Sequence, residues 1–299
     1  MVVSKNEQSV ALEAIENHPE MVLRKDDFVG WRINWEDKAR NLAELVEELN
    51  LGFQSVLFID DNPAERARVK DTLPEVVVPD WPVDKTLSRQ ALLSLSCLNA
   101  VSVSDEDQHR TDMYQLEAKR RGIKASVSSF EDWLKDLGMT ARVAELGKAD
   151  IQRTTQLLNK TNQMNLSTRR MTESELLNWS YPDNRICWTF RVSDKFGDSG
   201  LTGIVSLELQ DRVARMVDFV LSCRVMGRKV EETMLYVAVE YAREMGCEEV
   251  RAEYVETSKN KPCLDFWERS GLHLQDDNLF VWPTASLYPS PDGIVLLGM

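Results

Sequence analysis

The run Val56-Leu57-Phe58-Ile59-Asp60-Asp61-Asn62-Pro63 constrains this chain more than any other stretch. An apolar segment of strand length ends in two adjacent carboxylates. Asn-Pro then stops the strand and opens a helix over Ala64 to Leu73. A buried parallel strand that ends in acids delivers them where open α/β sheets hold their chemistry. Two acids and an Asn form a hard-oxygen set, suited to Mg²⁺ rather than to zinc. The plain alternative is a capped turn, in which Asp61 or Asn62 accepts the first N–H groups of the helix.

Bulk properties narrow the partners. A chain of 299 residues fits two domains better than one. Its net charge of −13 opposes a nucleic-acid binder held by phosphate contacts and opposes anionic membranes. No apolar run approaches the roughly 18 residues that span a bilayer, and Met1 to Asn6 has no basic segment followed by a long apolar core. The five cysteines are odd in number and never spaced C-x-x-C, which predicts free thiols in a reducing, cytoplasmic setting and no zinc site.

The first third alternates strand and helix. Met1-Val2-Val3 reads as a strand. Ser4 or Asn6 caps a helix with Ala11, Leu12 and Ile15 on one face. Trp31, Ile33 and Trp35 alternate, and a second helix runs from Ala39 to Leu49 with Leu42, Leu45, Val46 and Leu49 inward. Val76-Val77-Val78 is a further strand. That order predicts a parallel doubly wound sheet.

Ser4-Lys5-Asn6, Trp35-x-x-Lys38 and Ile59-Asp60-Asp61-Asn62 stand in the order of motifs II, III and IV of the haloacid dehalogenase (HAD) superfamily. The phrases SKNEQ, MVLRKDDFVGWRINWEDKARNL and FIDDNPAERARV more narrowly resemble FkbH-like proteins. In that family a HAD domain is fused to a GNAT-like acyltransferase domain. The family is associated with loading a glyceryl unit from a phosphorylated glycerate donor onto an acyl carrier protein in polyketide-type biosynthesis. The resemblance implies that Ser4 bonds the transferring phosphoryl oxygen, that Lys38 neutralises charge there, and that Asp60 and Asp61 hold Mg²⁺. It also implies an Asp-x-Asp motif upstream of Ser4. None stands there, and Asp-x-Asp-x-Thr occurs nowhere in the sequence. The chain therefore reads as an N-terminally truncated relative whose covalent phosphoryl transfer is impaired.

The middle reads as helices: Ala91 to Leu98, a charged helix opening at Ser104-Asp105-Glu106-Asp107 and running to Arg121, and an amphipathic one through Phe130, Trp133, Leu134 and Leu137 closed by Gly138. Met139 to Leu146 alternates as a strand, with helices at Asp150 to Asn159 and Glu173 to Trp179. Strands at Ile186 to Val192, Gly203 to Leu209 and Arg215 to Leu221 follow, the first two joined by a turn at Phe196 to Gly200. Expected domains are 1–90 (partial HAD), 91–138 (helical linker) and 139–299 (GNAT-like). The expected fold class is α/β, a partial Rossmann-like parallel sheet followed by a GNAT-like mixed sheet.

Cys223-Arg224-Val225-Met226-Gly227-Arg228-Lys229 leaves a strand and enters the helix Val230 to Glu244. The stretch is similar to the Arg-x-x-Gly-x-Gly/Ala loop of GNAT acyltransferases, where backbone N–H groups and a helix N-terminus hold a pyrophosphate. The resemblance implies a phosphopantetheine site, carrier-bound or on CoA, at Arg224, Gly227 and Arg228, with Asn260 orienting the pantetheine amides. Thr161 to Arg170, TNQMNLSTRR, resembles another phrase of the family. It reads either as a surface for an amide-rich ligand or as a polar helix-to-loop junction. Cys223 reads either as a thioester-forming nucleophile or as a small buried hydrophobe. The functional alternatives to glyceryl transfer are a CoA-dependent GNAT acyltransferase and a non-catalytic carrier-protein docking module.

Overall fold

A computed structural model describes residues 1–49, 51–99, 103, 109–124, 129–276 and 278–298. The chain divides into two compact units, Met1–Lys119 and Arg120–Met299.

Unit 1 is parallel α/β. Strand β1 (Val2–Ser4) pairs in parallel with β2 (Trp31–Ile33), Val2 against Trp31 and Ser4 against Ile33. Helix α1 (Gln8–Asn17) lies between them in sequence. Helix α2 (Lys38–Glu48) starts at Asp37, whose carboxylate accepts the Arg40 N–H. It buries Leu42, Leu45 and Val46, with Leu49 buried just past its end, the inward stripe its spacing predicts, and Ala39 is buried as well. The acid-tipped segment and Val76-Val77-Val78, both expected as strands, meet at a single parallel bridge, Leu57 against Val77, and neither runs on as a regular strand. Phe58 donates its N–H to Val77 O at 2.9 Å, and Val77 donates to Val56 O at 2.9 Å. Helix α3 (Pro63–Thr72) follows with Pro in its first turn, and α4 is Ser88–Leu93.

Among the described residues of unit 1 there are thus one two-stranded parallel ladder and one parallel bridge, and no ladder joins them. They share one core of Ala39, Leu42, Val46, Val56, Phe58, Val69 and Val76, with Val3 packed against it. The helix expected over Ala91 to Leu98 is shorter: α4 stops at Leu93, and Ser96–Leu98 is a separate tight turn. The helix start expected at Ser104 to Asp107 lies outside the described residues. Helix α5 runs Arg110–Lys124.

Unit 2 is a mixed sheet with helices. Helix α6 (Phe130–Leu137) is capped by Ser129 and closed by Gly138 in the left-handed region, φ 59°, where a side chain would be strained. Then come β3 (Met139–Glu145), α7 (Ile151–Lys160), β4 (Met164–Asn165), α8 (Glu173–Trp179), β5 (Arg185–Asp194), β6 (Gly197–Gln210) and β7 (Val213–Leu221). The chain ends with α9 (Val230–Glu244), β8 (Glu249–Glu253), α10 (Lys261–Arg269), β9 (His273–Asp276), β10 (Leu279–Pro283) and β11 (Ile294–Leu297). The sheet runs β11-β3-β5-β6-β7-β8-β10-β9, and β4 pairs with β7 off this path. Among the described strands of this sheet, only β11 with β3 and β7 with β8 are parallel.

The β5–β6 hairpin closes more tightly than expected. Lys195 and Phe196 alone turn it, and Gly197 to Gly200 already belong to β6, where the register shifts against β5. The polar run Thr161 to Arg170, read as loop or ligand surface, contains β4. No described helix is long and apolar enough to cross a membrane.

Candidate functional sites

In unit 1 the end of the bridged segment, past Leu57, brings Asp60 to Lys38. Lys38, the first residue of α2, donates from Nζ to Asp60 Oδ2 at 2.6 Å, and their side chains are only 13% and 7% exposed. Asp60 Oδ1 accepts the Asn62 N–H at 2.9 Å, and Asn62 Oδ1 accepts the Ala64 N–H at 2.9 Å. The capped turn and the charged site thus coexist: Asn62 caps α3 while Asp60 turns to the lysine. Arg66, one turn into α3, donates to the carbonyls of Asp60 and Asp61 at 2.7 and 3.1 Å and fixes the end of the segment.

Asp61 points outward. Lys85 lies 3.1 Å from its carboxylate, and hydrogen bonding to Lys85 holds the carboxyl below its ordinary range. Ser4 ends β1, where its carbonyl accepts the Asn34 N–H at 3.0 Å. The next residue, Lys5, pairs with Glu65 of α3 at 2.7 Å.

The donor chemistry fits Mg²⁺ rather than a softer ion, since Asp60 and Asp61 supply only hard oxygens and Mg²⁺ keeps several waters of its own. Among the described residues no group of three or more His, Cys, Asp or Glu is placed to hold a metal. Asp60 and Asp61 are the carboxylates such a site would draw on, and in the structure Asp60 faces Lys38 while Asp61 faces Lys85.

Lys38→Met is expected to cost about 1–3 kcal/mol, because it leaves the buried Asp60 carboxylate with a backbone N–H as its remaining donor. Urea unfolding of Lys38→Met beside Lys85→Met checks this. Equal losses from the buried and the exposed lysine would contradict it.

In unit 2 the loop from Cys223 to Lys229 joins β7 to α9, as expected for an anion-binding turn. Cys223 starts a short 3-10 turn, Cys223–Val225. Gly227 is left-handed at φ 69° and Lys229, the N-cap of α9, at φ 66°. The Gly227 N–H, which the sequence offers to an anion, is already bonded to Glu231 Oε1 at 2.7 Å. Glu231 is 5% exposed and its Oε2 has no hydrogen-bond partner, so burial pushes its carboxyl up to about 7.

Arg228 is also buried. It donates to the Arg224 carbonyl at 2.8 Å and lies 3.8 Å from Asp194. Arg224 donates to the Ser222 hydroxyl at 3.2 Å. Asn260 is fully buried and committed within the protein. Its Oδ1 accepts from Tyr254 Oη at 2.7 Å, the Thr257 N–H at 2.8 Å and Thr257 Oγ1 at 2.9 Å. Its Nδ2 donates to Asn165 O at 3.0 Å and Val255 O at 2.8 Å. That leaves no amide face for a ligand, and Asn260 serves as an internal tie.

Sequence reasoning missed the polar centre behind this loop. Asp218 of β7 is 1% exposed. It accepts from Ser206 Oγ, from Ser167 Oγ at 3.2 Å, and from Arg169, whose guanidinium lies 4.8 Å from the Trp179 ring. A lone Asp inside an apolar strand was the available signal, since a buried carboxylate needs partners.

No family model matches the sequence, and no curated protein matches it. Solved structures do. About a third of the chain is similar to the N-terminal part of a Bacteroides fragilis protein containing a phosphatase domain complexed with Mg: 38% identity over 34% of this chain, TM-score 0.32. The chain spans 28% of the length of that structure. About half of the chain is similar to spermidine N-acetyltransferase from Vibrio cholerae in complex with CoA and spermine. That match has 15% identity over 50% of this chain and 98% of the other, TM-score 0.41. PaiA N-acetyltransferase from Thermoplasma acidophilum in complex with coenzyme A matches at 16% identity over 48% and 96%, TM-score 0.39.

Proposed function

We propose that the chain serves polyketide-type biosynthesis as a two-part protein of the FkbH-like kind. Unit 1 handles a phosphorylated three-carbon acyl donor, with Mg²⁺ held by Asp60 and Asp61. Unit 2 receives the acyl carrier protein, and a glyceryl unit passes from donor to carrier as phosphate is released. The half-buried Lys38–Asp60 pair, just past the bridged segment, carries this reading. A cation held against a carboxylate with little water access suits a site that balances phosphate and metal charge. Ser4, at the end of the neighbouring pair, would bond a phosphoryl oxygen.

Covalent transfer needs a nucleophile that these residues do not supply, since the sequence has no Asp-x-Asp-x-Thr. This chain alone is therefore expected to hydrolyse p-nitrophenyl phosphate at the background rate, with or without Mg²⁺. A Mg²⁺-dependent rate that disappears in Asp60→Asn would overturn the assignment of an incomplete phosphate site.

The second reading, a non-catalytic carrier-docking module, is favoured by one observation: the Gly227 loop is bonded to its own Glu231. Calorimetry with apo and holo carrier protein tests both readings. Saturable binding of the carrier supports the partner. Binding that ignores the phosphopantetheine arm favours docking without turnover, with Cys223 a packing residue rather than a thioester nucleophile. No binding of either carrier form removes the carrier from the proposal.

A further inference from the structure

Strands β7 and β8 run in parallel only from Val213–Met216 against Glu249–Ala252. Past Met216 they part, and β7 presents Phe219, Val220 and Leu221 to the opening. An extended ligand with amides, such as a pantetheine arm, would pair with such a free strand edge.

The edge is not free. Met164 and Asn165 pair antiparallel with Leu221 and Val220. Leu166 bonds both sides, donating its N–H to Phe219 O at 3.1 Å and accepting from the Val255 N–H at 2.9 Å. Met164 is 2% exposed, and Asn165 and Leu166 are fully buried.

Two polar anchors hold this strand. Asn260 ties the Asn165 carbonyl to the backbone after β8. Asp218 holds Ser167 and Arg169 just beyond it. In the loop after β7, the Glu231 side chain accepts the Gly227 N–H at the helix N-terminus that an anion would seek, and a pyrophosphate placed there would meet that buried acid.

We infer that the cleft between β7 and β8 is filled by the chain itself: β4 and Leu166 take the place of an extended amide ligand, Glu231 takes the place of its anion, and no CoA or phosphopantetheine enters. The residues present do not fit the group that the GNAT-like order implies. The inference stands on unit 2 alone and is independent of the phosphate chemistry proposed for unit 1. It makes TNQMNLSTRR a built-in strand, polar because its anchors are buried and paired.

Amide hydrogen exchange on the full chain, combined with calorimetric titration of CoA, tests it. The Leu166 and Val255 amides are expected to exchange as slowly as those of Phe219 to Leu221, and CoA at about 1 mM, enough to half-fill a site with a millimolar Kd, is expected to leave them unchanged. Saturable CoA binding that leaves these amides protected would place CoA elsewhere and uphold the filled cleft. Fast exchange at Leu166 without ligand would overturn the inference, as would CoA binding that speeds exchange at Leu166 and Val255. Glu231→Gln is expected to gain no CoA affinity, because β4 still fills the edge. A gain of tenfold or more in that variant would show that the carboxylate alone closed the site.

Discussion

Asp194→Ala is expected to destabilise unit 2 by about 3–5 kcal/mol, the range for breaking a buried ion pair from one side. Asp194 ends β5 with its side chain 3% exposed. It receives Arg120 through two bonds of 2.6 and 2.8 Å and the Phe196 N–H at 2.9 Å, while Arg228 lies 3.8 Å away. Both guanidinium groups are 4% exposed. Arginine cannot shed its charge, so removing the acid takes away the carboxylate that two buried cations face. The adjacent pair Lys195–Asp136 has the same 2.6 Å separation, but its side chains are 39% and 51% exposed. Such a pair contributes about 0–1 kcal/mol. Urea unfolding of Asp194→Ala and Asp136→Ala side by side checks the contrast, and similar losses would contradict it. Burial, not distance, decides which pair matters here.

That contrast also marks what the sequence could reveal. Local signals were legible. The Asp37 cap, the Leu42, Leu45 and Val46 stripe, the Asn62-Pro63 helix start and the left-handed Gly138 each depend on neighbours within a turn or two, and each stands where its chemistry places it. The approach of Lys38 to Asp60 was legible only through motif order. Their partnership crosses 22 positions, and no local rule supplies it.

Polar residues with distant partners were misread. Thr161 to Arg170 looks like a surface because hydrophobic periodicity scores Asn, Ser and Arg as solvent-facing. Their partners Asp218 and Asn260 come from elsewhere in the chain; Asn260 is 95 positions from Asn165. A buried Asn with its amide fully paired is indistinguishable, by composition, from an exposed one. The basic cluster at Arg224, Arg228 and Lys229 failed for the same reason. Lys229 lies 3.5 Å from Glu232 near the surface, whereas Arg228 turns inward to Asp194.

Glu231→Gln is expected to stabilise the protein more at pH 8 than at pH 5, with a difference of up to about 3 kcal/mol. Burial raises the Glu231 carboxyl from its ordinary 4.5 to about 7; Glu232 adds to the rise, while the Gly227 N–H and, more weakly, Arg269 oppose it. Below pH 4.5 the group is protonated in folded and unfolded chains alike and contributes no pH dependence. Between 4.5 and 7 the folded chain keeps a proton that the unfolded chain releases, so stability falls as pH rises. Above 7 that loss is complete. Glutamine has no proton to lose, and its amide oxygen can still accept the Gly227 N–H that Glu231 now accepts at 2.7 Å. Among the described residues the Oε2 position has no partner, so the amide nitrogen displaces no bond there. Other carboxylates titrate identically in both proteins and cancel in the comparison. Urea midpoints of wild type and variant at pH 5, 6, 7 and 8 give the difference directly. Parallel profiles for the two would mean that Glu231 ionises freely. The carboxylate would then be reaching water, and the helix end at Gly227 would be open to a competing anion.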